Sequence, residues 1–126
     1  MSYKMACEHS DRIAVIVSQA GMMPLDRTLC QPTHPVSILH VHGTNNSTIH
    51  YNEGNIFGVV YPSAELSMGD WIANNGCSTG LQQNGALMDL VTTVDGPETT
   101  PYTASCPNGV DVSHWKMQDA PHTPTL

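Results

Sequence analysis

Histidine side chains are concentrated in one part of the sequence, between His40 and His50. His40 and His42 are two residues apart, so on a β-strand both imidazoles lie on the same face. With His50 they supply three nitrogen atoms of the kind that bind zinc. No cysteine or carboxylate accompanies them at ligand spacing, and ordinary hydrogen bonds usually satisfy histidines at strand ends. The sequence therefore predicts neither a metal site nor another cofactor.

A second stretch with the residue types of a catalytic site is Gly76 to Gly80, which reads Gly-Cys-Ser-Thr-Gly. It matches the Gly-x-Ser-x-Gly pattern of serine hydrolases, whose serine is exposed by a sharp turn from a strand into a helix. Here the residues before the pattern predict a helix, and the residues after it, 81–85, predict a loop. Ser78 is therefore not interpreted as a nucleophile.

Strands must position the histidine-rich stretch. Val36 to Val41 is almost continuously apolar or β-branched, which is typical of a strand buried on both faces of a parallel sheet. Thr44 to Thr48 is a polar loop at its carboxyl end, where open α/β sheets place their functional groups. Ile13 to Val17 is a second continuous apolar run. We expect these two runs to be adjacent parallel strands.

The rest of the chain predicts helices and further strands. Met1–His9 has the apolar spacing of the end of a helix, and a capped helix is predicted from about Ser63 to Asn75. Thr99–Ser105 and Val110–Met117 are candidate strands. Strands separated by a helix and by loops fit a single α/β domain with a mostly parallel sheet.

Length and charge exclude several classes of protein. A chain of 126 residues forms one domain at most. Its net charge of −7, with only four lysine and arginine residues, argues against a nucleic-acid or anionic-membrane partner. No window holds the roughly 18 uninterrupted apolar residues of a transmembrane helix. The first residues also lack the basic, apolar and small-residue order of a signal peptide.

The four cysteines have no Cys-x-x-Cys spacing, so they do not predict a zinc site. Their even number and the low charge content suit an exported protein with two disulfides. Three pairings are open on these grounds. The alternative is four free thiols in a reducing cytosol.

The segment His42–Tyr51, His-Gly-Thr-Asn-Asn-Ser-Thr-Ile-His-Tyr, resembles a segment of certain secreted esterases. Esterases of the polyhydroxybutyrate depolymerase and feruloyl esterase type, which are α/β-hydrolases, have His-Gly-Thr-x-Asp-Pro-x-Val-Pro-Tyr. The resemblance covers nearly the whole chain, through the segments Met1–Glu8, Ser10–Ala14, Tyr61–Glu65, Trp71, Asn75–Cys77, Glu98–Thr100, Cys106 and Ala120–His122.

The resemblance implies that residues 1–126 are a partial α/β-hydrolase domain, the C-terminal half of the fold, with flanking helices on a mostly parallel sheet. It implies that Asn46 occupies the position of the triad acid and His122 that of the base. The family's nucleophile elbow would precede Met1, so the chain looks truncated. The family also places a disulfide at Cys77–Cys106, which leaves Cys7–Cys30 as the second.

Complete relatives pass through an acyl-enzyme, and their substrates would be polyhydroxyalkanoates or feruloyl and acetyl esters. An asparagine amide does not supply the negative charge of a triad acid, so this chain is expected to be inactive alone. The expected partners are an ester, a complementing N-terminal half or a second copy in a homodimer, and the expected location is secreted or periplasmic. Two other functions stay open, a non-catalytic binding or assembly module and a non-functional gene fragment.

Overall fold

Five strands form the main sheet of the protein, which we describe from a computed structural model covering Met1 to Leu126. The strand order is β1-β2-β7-β6-β5. The bounds are β1 Val15–Gln19, β2 Ser37–Gly43, β5 Gln82–Gln83, β6 Thr99–Ala104 and β7 Val112–Met117. A separate antiparallel pair is formed by β3 (Gly54–Ile56) and β4 (Val59–Tyr61), and the helices are α1 (Ser2–Glu8), α2 (Ala64–Asn74) and a short 3-10 helix (Arg27–Leu29).

The predicted fold class, the C-terminal half of an α/β-hydrolase with a mostly parallel sheet, is wrong. β2 pairs in parallel with β1 and with β7, but β6 pairs antiparallel with both β7 and β5. For β6 and β7 the physical reason is the length of their connection. Parallel neighbours need a crossover of about a dozen residues or more, whereas β6 and β7 are joined directly by residues 105–111 as a hairpin. The result is a mixed sheet with two α-helices.

The prediction that the first two apolar runs are adjacent parallel strands is confirmed. Val15 is opposite Ser37, and the register continues to Gln19 opposite Val41. The predicted helix is confirmed as α2, with Ser63 at its N-cap, where the serine hydroxyl accepts the Leu66 N–H at 3.1 Å.

Only one face of the sheet is covered by helices. Ile16, Ile38 and Val112 point to that face and pack with residues of α1 and α2, including Met68 and Trp71. The opposite face is open at β1, where the side chains alternate between buried and exposed. The prediction that these apolar strands are buried on both faces is therefore wrong for β1.

The chain is cross-linked by two disulfides, Cys7–Cys30 and Cys77–Cys106, as the resemblance implied. They close loops with sequence separations of 23 and 29 residues. Loops of that length correspond to about 3–4 kcal/mol of stabilisation each in the chain-entropy description. Disulfides are compatible with an extracellular protein. Neither helix has the length and hydrophobicity that crossing a membrane requires.

Candidate functional site

The loop after β2 meets the segment after β7 at the carboxyl ends of these two parallel strands. The Thr44 N–H donates to the Met117 carbonyl at 2.9 Å, and the Asn45 N–H donates to the Ala120 carbonyl at 3.1 Å. A Cβ on Gly43 would lie 2.2 Å from the Ala120 oxygen, so only glycine allows this approach. The predicted acid and base positions belong to these two segments and are thereby brought together.

Asn46 is buried, with 3% of its surface exposed, and its amide orientation is determined by the backbone. Its Oδ1 accepts the N–H of Thr48 at 3.0 Å and the N–H of Ile49 at 2.9 Å. Since backbone N–H groups only donate, this end of the amide must be the oxygen. The Nδ2 end therefore faces His122, and it lies 3.0 Å from His122 Nδ1.

This contact determines which nitrogen of His122 carries the proton. Because the Asn46 amide donates, His122 Nδ1 accepts, and a neutral imidazole then has its proton on Nε2. A catalytic triad has the opposite arrangement, in which Nδ1–H donates to the carboxylate and Nε2 is free to take a proton. The arrangement has the geometry of an acid–base pair but the wrong tautomer for general-base catalysis.

A chain of hydrogen bonds runs from α1 to the same loop. The Tyr3 hydroxyl is 2.6 Å from His40 Nδ1, His40 Nε2 is 3.0 Å from His42 Nδ1, and His42 Nε2 is 2.8 Å from the Ile49 carbonyl. The Ile49 carbonyl only accepts, so His42 Nε2 carries a proton and His42 Nδ1 accepts from His40 Nε2–H. His40 Nδ1 in turn accepts from the Tyr3 hydroxyl. His42 thus holds the backbone of the residue that in turn binds the Asn46 oxygen.

Burial keeps these histidines neutral. It lowers the pKa of His40 well below its usual value, and it lowers the pKa of His42 in the same direction. Both ring nitrogens of each histidine are already used in hydrogen bonds, whereas His50 is exposed. The structure does not bring the three together, and no group of histidine, cysteine or carboxylate side chains is arranged to hold a metal ion.

Sequence reasoning did not identify His114, which stacks on His40 beneath the same network. His114 Nδ1 donates to the His40 carbonyl at 3.1 Å. Its Nε2 lies 2.9 Å from the Tyr51 hydroxyl, which also lies 3.1 Å from Glu65 Oε1. Burial lowers the pKa of His114 to about 4. The alternating pattern of residues in β7 could have indicated that His114 is buried, because it places His114 on the same face as Val112.

Ser78 lies in the loop between α2 and β5, and its hydroxyl donates to the Ser105 carbonyl at 3.3 Å. The turn around it is not a turn from a strand into a helix, which the Gly-x-Ser-x-Gly motif requires. His122 has Asn46 as its hydrogen-bond partner and no serine hydroxyl. The structure therefore offers the base position no nucleophile.

No protein-family model matches the chain, and no curated protein matches it significantly. The esterase resemblance of the segment from His42 to Tyr51 stays a prediction.

Proposed function

We propose that the chain carries the acid and base positions of a serine-type carboxylic-ester hydrolase, with Asn46 in the acid position and His122 in the base position. The observation that supports this is the contact of 3.0 Å between Asn46 Nδ2 and His122 Nδ1, which joins residues 76 positions apart in the sequence. The esterase resemblance assigned these two residues to adjacent positions independently of any coordinates.

By itself the chain does not hydrolyse esters in this proposal, for two reasons. The amide of Asn46 leaves the proton of His122 on Nε2, where the base should accept one. The hydrogen-bond partner of His122 is Asn46 and not a serine hydroxyl, and acyl transfer requires such a nucleophile. A partner chain, proposed as a complementing N-terminal segment, supplies the serine and the oxyanion donors.

The substrate class and the location belong to the same proposal. The resemblance favours aliphatic polyesters of the polyhydroxyalkanoate type, or feruloyl and acetyl esters, in a secreted or periplasmic setting. The two disulfides support a setting outside the reducing cytosol.

The test first supplies the missing serine nucleophile and then restores a carboxylate at the acid position. The chain is combined with an esterase fragment that carries a serine elbow and oxyanion donors, and hydrolysis of a short-chain p-nitrophenyl ester is measured. We expect weak hydrolysis with the wild-type chain and a large rise in kcat after Asn46→Asp. The upper bound is about 10⁴-fold, the loss that the reverse change causes in a serine protease.

Two controls make that result specific. His122→Ala should abolish the gain, because the carboxylate acts only through the imidazole. Gln118→Ala, an exposed change in the segment between β7 and His122, should leave the gain intact. Equal activity before and after Asn46→Asp would mean that the acid position lies elsewhere.

A non-catalytic assembly module is the second candidate function. The edge strand β1 favours it, because its free edge presents unpaired backbone groups and its open face carries two exposed valines. In that case the chain associates through β1 whether or not Asn46 and His122 are intact.

A further inference from the structure

The loop that contains Asn46 also carries two overlapping acceptor sequences for N-linked glycans. Residues 45–47 read Asn-Asn-Ser and residues 46–48 read Asn-Ser-Thr, so each of two neighbouring asparagines has a hydroxyl residue two positions later. Such sequences are modified in eukaryotic secretory pathways. The structure places the two asparagines in opposite environments.

Asn46 is unsuited to carry a glycan in the folded protein. Only 3% of its surface is exposed, its Oδ1 accepts from two backbone N–H groups, and its Nδ2 donates to His122. A sugar on Nδ2 would replace an amide hydrogen and would have to occupy space filled by the loop and the His122 segment. A chain glycosylated at Asn46 therefore cannot reach this structure.

Asn45 has the opposite environment. Its side chain is exposed and has no hydrogen-bond partner, while its backbone N–H donates to the Ala120 carbonyl and holds the turn in place. Ser47, the hydroxyl residue of its acceptor sequence, is also exposed. The turn thus presents a free amide on a well-anchored backbone, with room for a bulky substituent.

We propose that Asn45 is a glycan-acceptor site and that Asn46 is not. In the reaction, Asn45 Nδ2 forms a bond to C1 of the first sugar of a lipid-linked oligosaccharide. The bond between C1 and the pyrophosphate of that donor breaks, and one amide proton is lost. The glycan then stands beside the Asn46–His122 pair. This proposal goes beyond the proposed function and does not depend on it.

The two acceptor sequences can be removed one at a time without touching either asparagine. Ser47→Ala eliminates the Asn45 sequence and leaves Asn46-Ala-Thr, whereas Thr48→Ala eliminates the Asn46 sequence and leaves Asn45-Asn-Ser. Both side chains are exposed, and Thr48 contacts Asn46 through its backbone N–H, which alanine keeps. The pair is therefore a matched control.

The experiment secretes the whole chain from yeast behind a signal sequence and measures intact mass before and after peptide N-glycosidase. We expect one glycan on the secreted wild type and on Thr48→Ala, and none on Ser47→Ala or Asn45→Gln. Threonine sequences are in general better acceptors than serine sequences, so acceptor strength alone predicts the reverse. Enzymatic release in ¹⁸O-water also marks the acceptor in the wild type, because the modified asparagine becomes labelled aspartate.

A secreted wild type without a glycan would overturn the proposal, and so would label at Asn46 in place of Asn45. A secreted Ser47→Ala protein that carries a glycan on Asn46 would do the same. If Ser47→Ala is retained in the cell, the labelled wild type still decides which asparagine is the acceptor.

Discussion

The side-chain amide of Asn46 donates a hydrogen bond to Nδ1 of His122, and the direction of that bond is opposite to that of a catalytic acid–base pair. Two backbone N–H groups hold the Asn46 oxygen, so the amide cannot rotate to accept from His122 without losing both bonds. A single atom, nitrogen in place of oxygen, separates this arrangement from one that suits general-base catalysis.

The first prediction is that Asn46→Asp moves the His122 proton from Nε2 to Nδ1. The new carboxylate keeps one oxygen on the Thr48 and Ile49 N–H groups and presents the other to His122, where it accepts a hydrogen bond from Nδ1–H. Long-range ¹⁵N–¹H spectra of the histidine side chains measure the tautomer directly. A wild-type His122 with its proton on Nδ1 would contradict the amide orientation. An unchanged Nε2–H tautomer in the variant would contradict the contact between the two side chains.

The second prediction concerns acid stability. Burial lowers the pKa of His114 to about 4, and it lowers the pKa of His40 in the same direction, so the unfolded chain binds protons first as the pH falls. Stability should therefore be complete above about pH 6.5 and fall between that pH and 4. His114 alone should account for about 3 kcal/mol of the loss. Urea unfolding at several pH values measures the loss.

His50→Gln is the matched control for that experiment, because it removes an imidazole that is exposed and lies outside the buried network. A free energy of unfolding that is constant between pH 7 and 5 would show that the buried histidines are not neutral in the folded state.

The third prediction compares the two disulfides. Replacing Cys77 and Cys106 with serine should lower the free energy of unfolding by about 3–4 kcal/mol, because the unfolded chain regains the conformational freedom that the disulfide removes. Replacing Cys7 and Cys30 should lower the free energy of unfolding further, because both residues are buried in the hydrophobic core. Serine hydroxyls there would be buried among apolar side chains. Chemical denaturation of the two double variants measures the difference. Equal losses, or a larger loss for the first pair, would contradict this ranking.

The fourth prediction is that the chain self-associates through β1. Val15 and Val17 are each 62% exposed, and the strand carries no lysine, proline or charge that would discourage pairing. Val17→Lys should shift the molar mass in light scattering toward the monomer. Leu66→Lys, on an exposed position of α2, should not. A wild-type protein that is monomeric at high concentration would contradict the association.

Local patterns in the sequence were sufficient for the parts of the fold that local chemistry decides. The apolar runs predicted the first two strands, and the cap residues predicted α2 almost to its ends. The number of cysteines indicated two disulfides, but their pairing came from the family resemblance, as did the positions of Asn46 and His122. The prediction of a mostly parallel sheet was wrong for the strand pairs in the second half of the sheet, which are antiparallel.

What the sequence by itself determined was which residues are apolar, which cap a helix and which carry hydrogen-bonding groups. Tertiary structure alone decided that β6 and β7 form a hairpin, that one face of β1 is open, and that His40, His42 and His114 share one buried network. It also decided the orientation of the Asn46 amide. The physical reason is that an amide, an imidazole or a strand edge has no preferred partner of its own. Its role depends on which donor or acceptor the rest of the chain places within about 3 Å.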